Sequence, residues 1–298
     1  MPLLPPSHFS FSSASAGTQP LPPPGSHVLV TDTLNASADF VIYHLVIEAL
    51  RSGRAPSSGP TRSVAVVDFS GGRKSAAHWE AIGKKLGAPV PLKQSESFTL
   101  ITPASHTFST SSKTAQTAPP LFTDDDEPSL KAVYRSIVQT LQGKEGSLIV
   151  LDDLSQLLVL GFSSQEITRF VRAVISLSRK HNAIIATHLH TDSLGSNSAI
   201  MSFQPNAREQ TTNSDLDLLL RLMRLGGGVW WRIEGLRTGR SGVVTGEISS
   251  HPLLPLPVDN KTSSTCSVPQ IPRAHPLQYR MDDTGVKTFA KGTGEGYL

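Results

Sequence analysis

The sequence predicts an α/β fold with a mostly parallel sheet and antiparallel strands at one edge. In the earlier part of the chain, short apolar runs alternate with amphipathic segments of helical spacing, which is the order that parallel sheets require. Later in the chain, apolar segments follow one another directly, as they do in antiparallel hairpins. One apolar run ends in two carboxylates, Asp152 and Asp153, and this pair directs the search for a functional site.

Apolar runs bounded by turn residues predict the parallel strands, because strands buried on both faces need not alternate with polar residues. These predicted strands are residues 27–30, 63–69, 148–151 and 183–188. Apolar residues that recur every three to four positions predict the helices between them. The predicted helices are residues 40–50, 78–86, 130–141 and 164–180.

The later part of the chain is predicted to supply the antiparallel edge. Residues 216–225 and 229–236 are predicted as strands, separated by three consecutive glycines. A segment at 243–248 is predicted to pair with the second of these strands. Residues 277–290 alternate in part between apolar and polar side chains, and this alternation predicts a short terminal strand pair.

Composition predicts one folded domain with polar segments around it. A disordered Pro/Ser-rich tail, the folded domain, a Pro/Ser/Thr-rich linker and a strand pair that completes the domain are assigned to residues 1–26, 27–250, 251–276 and 277–298. Low-complexity loops within the domain are predicted near residues 103–125 and 191–215. These segments contain too few apolar side chains to offset the entropy lost on ordering.

Charge and cysteine content argue against several classes of protein. The net charge of +3 is too small to indicate nucleic-acid binding by itself. Cys266 is the only cysteine, so no internal disulfide is possible, and no catalytic partners surround it in the sequence. No apolar run approaches the ~20 residues that span a bilayer, and the first 25 residues contain no Lys or Arg. We therefore expect a soluble intracellular protein.

The strand that ends in Asp152 and Asp153 resembles the magnesium-binding strand of P-loop nucleotide hydrolases. Such proteins also need the motif G-x-x-x-x-G-K-[ST], and in this sequence no Lys-[ST] pair is preceded by Gly. The segment after the first strand, residues 31–39, contains neither Gly nor Lys, and its Asp32 and Asp39 would repel a phosphate. The chain is therefore predicted to lack a phosphate-binding loop.

Three interpretations remain open for Asp152 and Asp153. The first is Mg²⁺ binding in a nucleotide site. The second, which we favour, is a remnant in which the carboxylates cap the following helical turn or pair with a neighbour's Arg. The third is a strand-end turn with solvated acids.

Other candidate motifs have simpler explanations. Residues 71–75, GGRKS, resemble the end of a phosphate loop, but the spacing of the glycines is wrong, so a loop between strand and helix is expected. His188 and His190 alternate on a strand and could share a metal ion, but no Cys or third His lies nearby in the sequence. A polar strand end near the surface is therefore expected. The acidic run at 124–127 is predicted to be a solvated loop.

The densest basic stretch lies in the predicted antiparallel edge. Its arginines are interleaved with Trp230 and Trp231, and they are Arg221, Arg224, Arg232, Arg237 and Arg240. Arginine next to aromatic side chains could hold single-stranded RNA through phosphate contacts and base stacking. The alternative is an edge strand with a solvated face and one Trp in the core.

Three segments of the sequence, taken in order, resemble the Elongator complex protein 6 family. The first is Leu148–Gly161, LIVLDDLSQLLVLG, which resembles the central signature of the family. The second is Trp231–Gly239, WRIEGLRTG, followed by a hairpin that ends in Gly246-Glu247-Ile248. The third runs from Tyr279-Arg280-Met281 to Phe289-Ala290-Lys291-Gly292. The resemblance covers about residues 27–298.

This resemblance implies a RecA-like fold without nucleotide-binding motifs and a subunit that is not an enzyme. It implies a hetero-hexameric ring with Elongator subunits four and five, two copies of each, which docks on the catalytic Elongator subunits. The resemblance also implies that those subunits modify the wobble uridine of tRNA and that the ring binds tRNA and releases it with ATP. Location in the cytoplasm, with the nucleus as a second location, follows from the same resemblance.

The sequence predicts few functional-site residues. No catalytic, cofactor-binding or metal-binding residue and no cofactor are expected, and Arg232, Arg237 and Arg240 are the candidate tRNA contacts. Two alternatives remain open: a degenerate P-loop-type ATPase that uses Asp152 or Asp153 on Mg²⁺, and a RecA-like recombination accessory protein that prefers single-stranded DNA.

Overall fold

The computed structural model describes eleven stretches of the chain. They are residues 11–13, 17–19, 21–52, 63–87, 97–104, 118–123, 127–192, 214–236, 244–253, 276–282 and 285–290. No helix in these stretches is long and apolar enough to cross a membrane.

Eleven strands and six helices form within the described stretches. The strands are β1 (Phe11–Ser13), β2 (Gly17–Gln19), β3 (His27–Asp32), β4 (Val64–Asp68), β5 (Phe98–Ile101), β6 (Leu148–Asp152), β7 (Ile184–His190), β8 (Gly228–Glu234), β9 (Gly246–Pro252), β10 (Leu277–Asp282) and β11 (Gly285–Ala290). The helices are α1 (Asp39–Ser52), α2 (Ala76–Lys85), α3 (Lys131–Leu141), α4 (Ser155–Val159), α5 (Ser164–Lys180) and α6 (Ser214–Met223).

Nine strands form one sheet in the order β11-β10-β9-β8-β3-β7-β6-β4-β5. The strands from β8 to β5 in this order pair in parallel. The pairs that add β9, β10 and β11 are antiparallel. This topology confirms the predicted fold class, a mostly parallel sheet with antiparallel edge strands.

Helices cover both faces of the parallel strands, which explains why those strands read as unbroken apolar runs. Alternate residues of one strand enter opposite cores. In β3, Val28 and Val30 pack in a core with α1 and Trp79 of α2, whereas Leu29 packs in a second core with α3, α5 and α6. Every residue of β3, β4 and β6 is buried, so the carboxyl ends of these strands lie between two packed layers.

One predicted strand is wrong. Residues 216–225 were expected to be extended, but they lie largely in α6, which packs against α5. Leu218, Leu219 and Leu222 have helical spacing and are all fully buried. Asp217 and Arg221, four residues apart, form an ion pair on the outer side of the helix, as such pairs do on helix surfaces.

The fold extends past two of the predicted domain limits. Leu21 is buried in the first core, and the Gly25 amide donates to the Ala183 carbonyl, so residues 21–26 differ from the predicted disordered tail. At the other limit, β9 continues through Pro252, and Leu253 is buried. Most of the predicted tail, loops and linker, including residues 105–117, 193–213 and 254–275, lies outside the described stretches.

Candidate functional site

The carboxyl ends of β3, β6 and β7 bring ionisable side chains together beneath the start of α1. β7 lies between the other two strands, and its parallel register with β3 places His190 opposite Asp32. Lys74 joins them from the loop between β4 and α2. We call Asp32, Lys74, Asp152, His188 and His190 the charged cluster.

His188 lies at the centre of the charged cluster and is 1% exposed. Its Nδ1 is 2.8 Å from Asp152 Oδ1, a hydrogen bond to the carboxylate. Its Nε2 is 3.2 Å from Asp32 Oδ2, but the angles do not suit a hydrogen bond, and this buried nitrogen has no hydrogen-bond partner. Burial lowers the pKa of His188, yet the carboxylates of Asp152 and Asp32 outweigh burial and raise that pKa to about 10.

Lys74 neutralises the carboxylates on the other side of the charged cluster. Its Nζ lies 2.6 Å from Asp152 Oδ2 and 2.5 Å from Asp39 Oδ1. Burial lowers the pKa of Lys74, but the charges of Asp152 and Asp39 raise it further than burial lowers it. Burial raises the pKa of Asp152, whereas His188 and Lys74 together hold it at about 2. Residues 71–75 therefore supply a buried counter-ion and not a phosphate loop.

Asp32 occupies the place where a P-loop protein binds phosphate, at the start of the helix that follows the first strand. Its Oδ2 accepts a hydrogen bond from the Ala38 amide at 2.8 Å. Its Oδ1 accepts from His190 Nδ1 at 2.5 Å. Burial raises the pKa of Asp32, but the two histidines bring it below its usual range.

A second carboxylate binds a backbone amide of the loop between β3 and α1. Asp192, two residues after β7, accepts hydrogen bonds from the Leu34 amide at 2.6 and 2.7 Å. Backbone amides of residues 34 and 38 are thus satisfied by carboxylates of the chain itself. The predicted absence of a phosphate-binding loop agrees with this geometry, since the loop both lacks Gly and Lys and already binds two anions.

Asp152 and Asp153 differ in their surroundings. Asp152 is 0% exposed, so the interpretation as a solvated strand end is wrong for it. Its side-chain partners among the described residues are Lys74 and His188, and not the helical turn of the favoured interpretation.

Asp153 has a positive φ of 60°, and its Oδ1 lies 3.6 Å from His190 Nε2. Burial raises the pKa of Asp153, and the charge of His190 and a hydrogen bond with the backbone of Gln156 only partly offset this. Gln156 lies in the first turn of α4, so Asp153 agrees with the helix-cap part of the favoured interpretation.

The two histidines were expected at a polar strand end near the surface. His190 is half-exposed, but His188 is buried. Asp32, His188 and His190 have ligand-type atoms that all lie within 4.8 Å of one another. Sequence reasoning missed Asp32 as their partner because 158 residues separate it from His190. The parallel pairing of β3 with β7 is the signal that would have found it.

The arginines proposed to contact tRNA are only partly described. Arg232 in β8 is half-buried, forms an ion pair with Glu234 and lies over the Trp230 ring. Arg237 and Arg240 lie outside the described residues. Trp230 and Trp231 are both buried, and Trp230 Nε1 donates to Thr31 Oγ1 at 2.8 Å. Base stacking on these two rings would therefore require the strand to rearrange.

Comparisons with known proteins show the family and the fold. A family model described as Elongation complex protein 6 matches residues 13–252. Among solved structures, the KaiC-like protein PH0186 from Pyrococcus horikoshii OT3 is similar, with a TM-score of 0.50 and 7% identity over 90% of each chain. At that identity the likeness shows the fold alone, which is RecA-like. No curated protein matches the sequence.

Proposed function

The chain belongs to the Elongation complex protein 6 family, and on that premise we propose that it is a non-catalytic subunit of Elongator. In this proposal it forms a hetero-hexameric RecA-like ring with Elongator subunits four and five. The ring docks on the catalytic Elongator subunits and supports modification of the wobble uridine of tRNA. The protein works in the cytoplasm, with the nucleus as a second location.

The observation that carries the non-catalytic role is the occupation of the phosphate position by carboxylates. Asp32 accepts from the Ala38 amide, and Asp192 accepts from the Leu34 amide. A nucleotide would have to displace both anions and would then face Asp39 and Asp152. Lys74, which could neutralise a phosphate, already contacts these two acids. The arrangement therefore favours a structural role over hydrolysis.

Native mass spectrometry after co-expression with Elongator subunits four and five from the same source tests the assembly. We expect a six-chain complex that contains two copies of this chain. The matched control is co-expression of subunits four and five alone, which should not give that complex. A chain that remains separate from both partners would contradict the ring.

Nucleotide turnover tests the non-catalytic role separately. We expect the purified chain to show no ATP hydrolysis above a buffer control. Turnover that disappears in Asp152→Asn or Asp153→Asn would instead identify a degenerate ATPase. A preference for single-stranded DNA over tRNA would point to a recombination accessory protein.

The tRNA role rests on charge in the antiparallel edge and is tested in the assembled ring. Arg232 is paired with Glu234, so Arg237 and Arg240 are the stronger candidates for phosphate contacts. Replacing both by Ala should weaken tRNA binding and reduce the slope of log K against log salt by roughly 1 per lost phosphate contact. Arg172→Ala on α5 is a control with an exposed arginine. An unchanged slope in the double variant would contradict the assignment.

A further inference from the structure

Asp32, His188 and His190 have the chemistry and the placement of metal ligands. His188 and His190 are two positions apart on β7, so their side chains leave the same face of the sheet. Asp32 ends the neighbouring strand, in register with His190. Zinc bonds of about 2.0–2.1 Å in a tetrahedral site hold ligand atoms roughly 3.3 Å apart. The separation of Asp32 Oδ2 from His188 Nε2, 3.2 Å, is close to this spacing.

A buried nitrogen that makes no hydrogen bond, although the Asp32 carboxylate lies 3.2 Å from it, points into the same place. His188 Nε2 has no hydrogen-bond partner among the described residues and is shielded from solvent. Buried polar atoms are nearly always satisfied, so each exception needs a cause. A metal ion between His188 and Asp32 would replace the proton on this nitrogen and release that proton to water, because a metal binds the unprotonated imidazole.

The outer partners of the histidines also fit a metal site. Histidines that bind metals usually direct their other ring nitrogen to a carboxylate, which orients the ring. His188 Nδ1 forms a hydrogen bond of 2.8 Å with Asp152 Oδ1, whereas His190 Nε2 lies 3.6 Å from Asp153 Oδ1, close enough for an ion pair but too far for a hydrogen bond. The two consecutive acids thus face one histidine each, and Lys74 holds Asp152 in place.

We propose that His188 Nε2, His190 Nδ1 and an oxygen of Asp32 bind a zinc ion or a similar transition-metal dication. Two imidazoles and one carboxylate suit Zn²⁺ or Co²⁺, whereas Mg²⁺ and Ca²⁺ prefer oxygen ligands. His190 Nδ1 and Asp32 Oδ1 lie 2.5 Å apart, which is too close for two ligands of one ion. The half-exposed ring of His190 would therefore have to turn away from Asp32 as the ion enters. Water completes the coordination on that open side. This inference is independent of the ring, and its failure would leave the proposed function standing.

Metal binding by the full chain, stripped with a chelator and dialysed, tests the proposal. We expect one Zn²⁺ per chain in a titration against a chromophoric chelator, and visible absorption bands of four-coordinate Co²⁺. His190→Gln should weaken Zn²⁺ binding at least about 10-fold and remove the Co²⁺ bands. Asp153→Asn should weaken binding by about 10-fold, because outer partners typically contribute 10–100-fold.

The controls separate this site from histidines elsewhere. His181→Gln, at the C-terminal end of α5 and outside the charged cluster, should bind Zn²⁺ as the unaltered chain does. His190→Cys should retain binding and add a sulfur-to-Co²⁺ absorption band, which a purely structural role for His190 would not produce. Equal Zn²⁺ affinity in the unaltered chain and in His190→Gln would overturn the proposal, as would absence of Zn²⁺ binding by the unaltered chain.

Discussion

The two ends of the central strands are equally buried, yet they hold their histidines in opposite charge states. At the carboxyl end, His188 lies between Asp152 and Asp32, and these acids raise its pKa to about 10. At the amino end, His27 shares a hydrogen bond of 2.8 Å with Thr187 Oγ1. Burial, together with the charge of Arg179, lowers the pKa of His27 to about 3.

In this sheet the partners of a buried histidine, and not its burial, decide whether it carries a charge. Open α/β sheets bind their ligands at the carboxyl ends of the strands. In this chain, paired ionised side chains occupy the carboxyl ends of the strands. Neutral hydrogen bonds, such as that between Ser63 and Ser147, lie at the amino ends. We therefore expect loss of a single charge at the carboxyl end to cost more than loss of a hydrogen bond at the amino end.

The largest effect is expected from Lys74→Met. Removing one partner of a buried ion pair leaves the other charge uncompensated, which costs about 3–5 kcal/mol of unfolding free energy. Asp152 would be left to share the charge of His188 with Asp32, and Asp39 would lose its contact with Lys74 as well. Urea denaturation measures the change.

Lys84→Met is the matched control for Lys74→Met. Lys84 pairs with Glu80 at the exposed surface of α2, where an ion pair four residues apart contributes about 0.3–0.5 kcal/mol. Similar losses in the two variants would show that the charged cluster contributes no more than a surface pair does.

The next effect is a pH dependence from the amino end. The pKa of His27 in the folded protein lies below its ordinary value of 6.5. Its contribution to the free energy of unfolding is therefore complete above pH 6.5 and is lost as the pH falls toward 3. Between pH 6 and pH 4 the loss should be about 1.4 kcal/mol per pH unit. His44 in α1, whose burial lowers its pKa to about 4, adds a similar slope.

Urea denaturation of His27→Gln at several pH values measures the contribution of His27. The slope below pH 6 should fall by about 1.4 kcal/mol per unit, which leaves the part due to His44. The unaltered chain, measured in parallel, gives the reference slope. A variant of His27 with that same slope would show that His27 is protonated in the folded protein.

The smallest effect is expected at the Ser63–Ser147 pair, whose hydroxyl oxygens are 2.8 Å apart and fully buried. Ser63→Ala leaves the Ser147 hydroxyl without its partner and should cost about 1–3 kcal/mol, near the lower end for a neutral group. The double variant, with Ala at both positions, should recover most of this loss. A double variant less stable than either single variant would contradict the pairing.

The fold was largely predictable because the parallel strands are buried on both faces. Each of them is a short apolar run, and the amphipathic helices between them have clear periodicity. The exception is α6, where leucines at 216, 218, 220 and 222 also fit the alternation of a strand. The local sequence pattern could not distinguish a helix from a strand here. Packing of Leu218 and Leu219 in the core shared with α5 favours the helix.

The site was predictable only in part, because its members come from distant positions. Asp152 and Asp153 were recognisable as a polar strand end. Lys74 lies 78 residues from Asp152, in a loop that the sequence marked only as a false phosphate motif. No local pattern encodes such a pairing, since it depends on β4 and β6 being neighbours in the sheet.

The carboxylate of Asp32 at the start of α1 acts as a tethered ligand, whose local concentration does not depend on the solution. A nucleotide-responsive protein alternates between a loaded and an emptied form, and its loops follow that cycle. In this chain the anion at that position is the Asp32 side chain, which remains covalently attached to the protein. Within the proposed ring, the conformation of this subunit would not follow a nucleotide cycle. It would provide a fixed surface against which its neighbours move.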